Sequence, residues 1–143
     1  MLILCANVGS TSFKYQIIDV ETSASLVTGG VERVGNSPSP FTHAVPGKPT
    51  VNGEIDAPNH NAAIVHAIDL ITDPETGVMA DLSNLVGIGF KTILARGIWR
   101  SALITDEVID ALEDDIPFAP THNPAYIASI LSLIHISEPT RPY

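Results

Sequence analysis

The chain has 143 residues, 45% of them hydrophobic, and a mean hydropathy of +0.24, which fits a buried globular chain rather than a disordered one. Sixteen acidic against seven basic side chains give a formal net charge of −9 with no basic run, which excludes a nucleic-acid surface and leaves backbone N–H groups and a metal ion to neutralise any anionic ligand. Cys5 is the only cysteine, no apolar run reaches the length of a membrane span, and "MLILCANV" is too short and too uncharged for a secretory leader, so a soluble cytoplasmic protein is expected, with no nucleic-acid or membrane partner.

Met1–Ala6 is a short apolar run of strand type. Phe13, Tyr15 and Ile17 then alternate with Lys14, Gln16 and Ile18, which predicts a second strand and a hairpin whose turn is Gly9, Ser10, Thr11 and Ser12. Ser25–Val34 reads as a third strand, with Gly29 and Gly30 marking a bulge or bend. Residues 35–58 are rich in Pro, Gly, Ser and Asn, with room for short strands near Phe41–Val45 and Pro49–Gly53.

Asn59 or Asn61 can cap a helix to about Ile71, with Ile64, Ala67, Ile68 and Ile71 on one face. The run "LVGIGFKTIL" (85–94) predicts a buried strand. Thr105 can cap a helix to about Asp115, with Asp106 and Glu107 in its first turn and Val108, Ile109, Leu112 and Ile116 on its apolar face. Asn123 as cap and Pro124 as first residue start another helix. Strands first, then strand alternating with helix, predict a mixed α/β sheet. His43, His60 and His66 have no metal-ligand spacing and read as surface residues, and Trp99 has no assigned role.

Four small residues between two strands cost packing, and they let backbone N–H groups and hydroxyls approach an anion. The turn is not a Walker A loop, since its lysine-bearing pattern is absent. An ordinary polar hairpin turn is the alternative. Strand-turn-strand phosphate hairpins of this kind occur in sugar and acetate kinases, actin and heat-shock chaperones.

The wording of three segments is more specific. "NVGSTSFKYQIID" resembles the acetate kinase signature N-A-G-S-S-S-L-K-Y at the same distance from the initiator methionine. "LVGIGFKTILARG" stands where that family has its G-H-R-V-V-H-G-G strand, and "APTHNPA" resembles its A-P-L-H-N-P-A. The resemblance spans residues 1–130 and implies an incomplete N-terminal domain of the ASKHA class (actin, hexokinase, heat-shock chaperone, ribonuclease H-like), a mixed sheet with helices.

It implies transfer of the γ-phosphoryl of ATP to a short-chain carboxylate, acetate or propionate, giving an acyl phosphate and ADP, with Mg²⁺ as cofactor and a homodimer as the full-length assembly. By the same resemblance Asn7 would help hold Mg²⁺. Gly9, Ser10, Thr11 and Ser12 would contact phosphate, and Lys14 would bear on the ATP phosphates, its alternative being a solvent-facing strand lysine. His122 would donate to the transferring phosphoryl group, its alternative being a structural histidine beside a helix start.

The acyl-binding segment departs from the pattern. Lys91 replaces the family arginine and keeps the charge without the bidentate fork; a charged residue at a strand end is its alternative role. Phe90 and Leu94 stand at two histidine positions. Ile93 fits an apolar acyl pocket, and Thr121 replaces the leucine before the histidine. The change of acceptor side chains leaves propionate or another small acid nearly level with acetate.

Residues 131–141, "LSLIHISEPTR", match the in-frame translation of a transposon-type sequencing adaptor without a mismatch. Residues 131–143 are therefore read as an artefactual tail, Ser137, Pro139 and Pro142 stop any helix there, and the natural chain is expected to continue beyond Ile130 into a lobe that supplies the remaining catalytic groups. Without that lobe the polypeptide is not expected to turn over. A non-catalytic module that binds phosphate or nucleotide is the second reading.

Overall fold

The computed structural model describes residues 1–92 and 95–137. Strands β1 (Leu2–Val8), β2 (Phe13–Asp19), β3 (Ala24–Val31), β4 (Ser39–Ala44) and β5 (Val51–Ile55) form an antiparallel meander. Helix α1 (His60–Thr72) and a short 3₁₀ turn lead to β6 (Leu85–Phe90), which pairs parallel to β1. The sheet order is β5-β4-β3-β2-β1-β6. Helices α2 (Asp106–Asp114) and α3 (Asn123–Ser137) follow.

The alternation in β1 and β2 decides which face is covered. Leu4, Ala6, Val8, Phe13, Tyr15 and Ile17 are buried, and they join Val27 and Val31 under α1 and α3. Asn59 caps α1 by accepting the Ala62 N–H at 2.9 Å, and Ala63, Ile64, Ala67 and Ile71 form its buried stripe. Each buried isoleucine there contributes about 1.5–3 kcal/mol. A second cluster gathers Leu112, Ile127 and Ile130, with Val108, Ile109 and Ile116 against them, so the predicted face of α2 is the packed one.

The third strand ends at Val31, and Gly29 and Gly30 lie in regular register opposite Tyr15 and Lys14 rather than at a bulge. The register shift falls instead between Ile17 and Ile18. Glycine at position 29 makes room for a ring: a Cβ there would come within 2.3 Å of Tyr15. Within the run 85–94, residues 85–90 form β6 at the sheet edge rather than a buried strand, with Val86 61% exposed, and residues 93 and 94 lie outside the described residues.

Helix α3 does not break after Ile130. It runs to Ser137, whose hydroxyl donates to the Leu133 carbonyl at 2.6 Å, and Leu133 is buried in the core. The apolar residues of 131–136 contain no helix breaker, so the pattern begun at Asn123 simply continues.

Candidate functional site

The register Val8↔Phe13 leaves Gly9–Ser12 as a four-residue connection between β1 and β2. Three bonds fix it. Gly9 N–H donates to the Ser12 carbonyl at 2.9 Å, Val34 N–H donates to the Thr11 carbonyl at 2.8 Å, and His60 Nε2 donates to the Gly9 carbonyl at 2.8 Å. Among the described residues, the N–H groups of Ser10, Thr11 and Ser12 donate to no protein acceptor. Ser10 and Thr11 are exposed, so three consecutive donors and three hydroxyls lie on the turn. Successive uncommitted amides are the kind of donors that suit an anion.

Asn7 and Lys14 are cross-strand partners on the sheet face away from α1 and α3, and both are exposed. The Lys14 ammonium lies 3.8 Å from the Glu32 carboxylate, an exposed pair at the outer limit of an ion pair. The parallel pairing of β1 with β6 sets Ala6 beside Phe90. The Lys91 N–H then reaches the Ala6 carbonyl at 3.4 Å, and its side chain is exposed. Asn7, the Gly9–Ser12 turn, Lys14 and Lys91 therefore come to one end of the sheet. Ile93 lies outside the described residues.

His122 sits in the connection before α3. Its N–H donates to the Ala119 carbonyl at 3.1 Å, its carbonyl accepts from Tyr126 N–H at 3.0 Å, and its half-buried ring stacks 6.2 Å from that of Tyr126, whose phenol is raised by burial. Thr121 beside it is exposed. Asn123 is buried and donates from Nδ2 to the Leu112 carbonyl at 2.9 Å, which ties the start of α3 to the end of α2. Among the described residues, the bonds and ring contact of His122 are local, and none reaches Lys91 or the turn.

The profile of the Acetokinase family matches residues 2–138. The chain belongs to that family. It is 40% identical over 131 residues to an acetate kinase of Caldanaerobacter subterraneus subsp. tengcongensis, covering 91% of this chain and 33% of that protein. It is 39% identical over 131 residues to an acetate kinase of Geobacter metallireducens, covering 91% and 31%. The chain thus spans about a third of the length of the curated relatives it matches. In fold it is similar to the crystal structure of Porphyromonas gingivalis acetate kinase, with a TM-score of 0.87 and 29% identity over 94% of this chain and 34% of that one. A propionate kinase from Francisella tularensis gives a TM-score of 0.81 at 25% identity, with the same coverage.

Among the described residues of this acetokinase chain, no three His, Cys, Asp or Glu side chains group to hold a metal ion. Asn7 offers one amide oxygen opposite a lysine position. That donor set forms no protein cage; Asn7 would give a Mg²⁺ ion one oxygen contact, and other ligands would have to come with the ion. Bound Mg²⁺ would supply neutralisation of phosphate charge.

Of the three histidines expected at the surface, His43 is buried, while His60 and His66 are half-buried and engaged by neighbours. His43 is 1% exposed; its Nε2 donates to the Thr76 carbonyl at 2.9 Å, so its Nδ1 accepts from the Tyr15 hydroxyl at 2.7 Å. His66 is half-buried, edge-on to Phe41 with ring centroids 4.3 Å apart, and burial holds its pKa below the usual value. His60 grips the Gly9–Ser12 turn from the first residue of α1. The spacing of His60 in the sequence gave no sign of this, because its partner is a backbone carbonyl 51 residues away.

Proposed function

We propose that the protein is the N-terminal part of a cytoplasmic kinase that transfers the γ-phosphoryl of ATP, reversibly, to acetate or propionate. The observation that carries this reading is the Gly9–Ser12 turn, whose uncommitted amides share one sheet end with Lys91. Phosphoryl transfer asks mainly for positioning and charge neutralisation. Gly9, Ser10, Thr11 and Ser12 would bind phosphate oxygens through backbone N–H and hydroxyl donors, and Lys14 would leave Glu32 to meet the nucleotide phosphates. Lys91, with Ile93 and Thr121, would hold the carboxylate acceptor. His122 would donate a hydrogen bond to the phosphoryl oxygen, held in orientation by the Tyr126 ring.

The full-length protein would be a homodimer. The 143-residue chain alone would not turn over, and residues 131–143 would be no part of the natural domain. The test is to sequence the source DNA across the codons for residues 125–143 and to express the uninterrupted frame. ATP-dependent acyl phosphate formation, trapped as a hydroxamate, is expected with acetate or propionate and lost in His122→Ala. A frame that truly stops at Tyr143 overturns the kinase reading and leaves the non-catalytic phosphate- or nucleotide-binding module, which the same turn would serve.

A further inference from the structure

In a hairpin closed in the ordinary way, the two residues flanking the tip exchange two bonds, each N–H donating to the other's carbonyl. Gly9 and Ser12 make only one of them, Gly9 N–H to the Ser12 carbonyl at 2.9 Å. The carbonyl that would accept the return bond is occupied from outside the hairpin: His60 Nε2 donates to the Gly9 oxygen at 2.8 Å. Ser12 N–H is left without a protein acceptor among the described residues. Because the acceptor is a carbonyl, the bonded nitrogen must carry the proton, which fixes the Nε2–H form of the ring or its imidazolium.

We infer that His60 is a positioning residue that holds the phosphate-hairpin turn open, keeping the Ser12 N–H available to an anion by diverting the Gly9 carbonyl. The supporting geometry is independent of His60 itself. Asn59 caps α1 through Ala62 N–H, so the first helical residue is set firmly, and Val34 N–H holds the Thr11 carbonyl from the other side. The turn is thus pulled outward at two carbonyls while its successive N–H groups stay uncommitted. Glycine at position 9 completes the device, since a Cβ there would lie 2.4 Å from the Ser12 hydroxyl oxygen. Without the imidazole, the Gly9 carbonyl can turn back onto Ser12 N–H and complete the ordinary closure, which withdraws one of the donors.

This inference rests on the reading of the turn as a phosphate site, and two readouts separate their failures. The first is hydrogen exchange of the Ser12 amide in the 143-residue chain without added anion. Exchange is expected to slow about three- to tenfold in His60→Ala, the protection that one hydrogen bond supplies, and to return to the parent rate in His60→Gln, whose side-chain amide can donate in place of Nε2–H. The second is titration with inorganic phosphate, followed by the amide shifts of Ser10, Thr11 and Ser12. Binding about three- to tenfold weaker in His60→Ala, restored in His60→Gln, is expected. An unchanged Ser12 exchange rate in a folded His60→Ala overturns the role of His60. Parent chain that shows no phosphate-dependent shift at the turn overturns the phosphate reading, whatever the exchange data give. A His60→Ala chain that loses its strand amide protection altogether assigns His60 to stability and also overturns the inference.

Discussion

Asp115 holds Arg96 by two atoms at once: its buried carboxylate accepts the Arg96 backbone N–H at 2.6 Å and lies 3.1 Å from the guanidinium. The arginine also stands over the Phe118 ring, 5.0 Å from its centroid. One buried carboxylate therefore fastens the segment after Lys91 to the connection that carries His122. The backbone bond is charge-assisted and shielded, whereas the guanidinium is two-thirds exposed and its pairing is screened by solvent. Asp115→Ala is expected to cost about 1.5–3 kcal/mol in urea unfolding, and Arg96→Ala much less. Equal losses in the two variants would place the value in the ion pair instead.

Gly29→Ala and Gly9→Ala should part company. A Cβ at 29 would meet the Tyr15 ring at 2.3 Å and the Thr42 carbonyl at 2.7 Å, and neither can retreat inside a paired sheet. A loss of about 1–3 kcal/mol or more is expected. At position 9 the close neighbour is the Ser12 side chain, which can rotate away. Gly9→Ala should melt close to the parent while losing phosphate-induced shifts at the turn. Parent-like phosphate binding in that variant would count against the turn as an anion site.

The buried chain Tyr15–His43–Thr76 has a fixed polarity, with Tyr15 donating to Nδ1 and Nε2 donating to the carbonyl. Tyr15→Phe removes one donor and leaves a buried imidazole nitrogen unpaired, at a cost of about 1–3 kcal/mol. Tyr15→Phe combined with His43→Leu removes both groups and should recover part of that loss in the same unfolding assay. A double variant no better than the sum of its parts would show that packing outweighs the bond.

Folded-state pKa depression at His66 makes stability depend on pH. Burial lowers this pKa from 6.5, outweighing the pull of Asp69, so the unfolded chain binds the proton more readily. The stability it allows is complete above 6.5 and is lost as pH falls through 6.5 toward the folded value. His66→Leu should flatten the melting-temperature profile between about pH 7.5 and 5.5. Asp73, Asp81 and Asp19 have lowered pKa values through bonds to nearby N–H, hydroxyl or amino groups, so their contribution is lost only at lower pH, as pH falls below 3.8 toward each folded value. An unchanged slope in His66→Leu would assign the acid sensitivity elsewhere.

The outer edge of β6 is apolar and open: Val86 is 61% exposed, and Leu85, Ile88, Phe90, Leu103 and Ile134 line a cavity of about 480 Å³ beside it. Trp99 and Leu103 are each 88% exposed. Such an edge favours pairing with a second chain. Sedimentation should show concentration-dependent association that Val86→Lys reduces. A monomer at all concentrations would mean that the edge is protected.

The sheet and the turn were legible because their signals are local. Alternation in 13–18 assigned the faces of β2, the Gly9–Ser12 run marked the hairpin tip, and the apolar spacing of α1 and α2 matched the buried stripes. What escaped notice acts across the chain. His43 and His60 find partners through the fold, Gly29 is small because of a ring on the neighbouring strand, and β6 is an edge because nothing in the described residues pairs beyond it. The apolar residues 131–136 carry on the helix begun at Asn123, and α3 runs to Ser137, the first of the residues expected to stop a helix there.

The single parallel pairing has a consequence for synthesis. β1 ends at Val8, and its second neighbour does not begin until Leu85. The meander can zip up as its hairpins leave the ribosome, while one flank of β1 stays bare until that late strand arrives, a wait of roughly 4–15 s at ordinary elongation rates. The Gly9–Ser12 tip is thus an early product of translation, and the lysine just beyond β6 joins it late. Slow codons between Thr72 and Leu85 would lengthen the interval in which a nascent chain offers that flank to its neighbours.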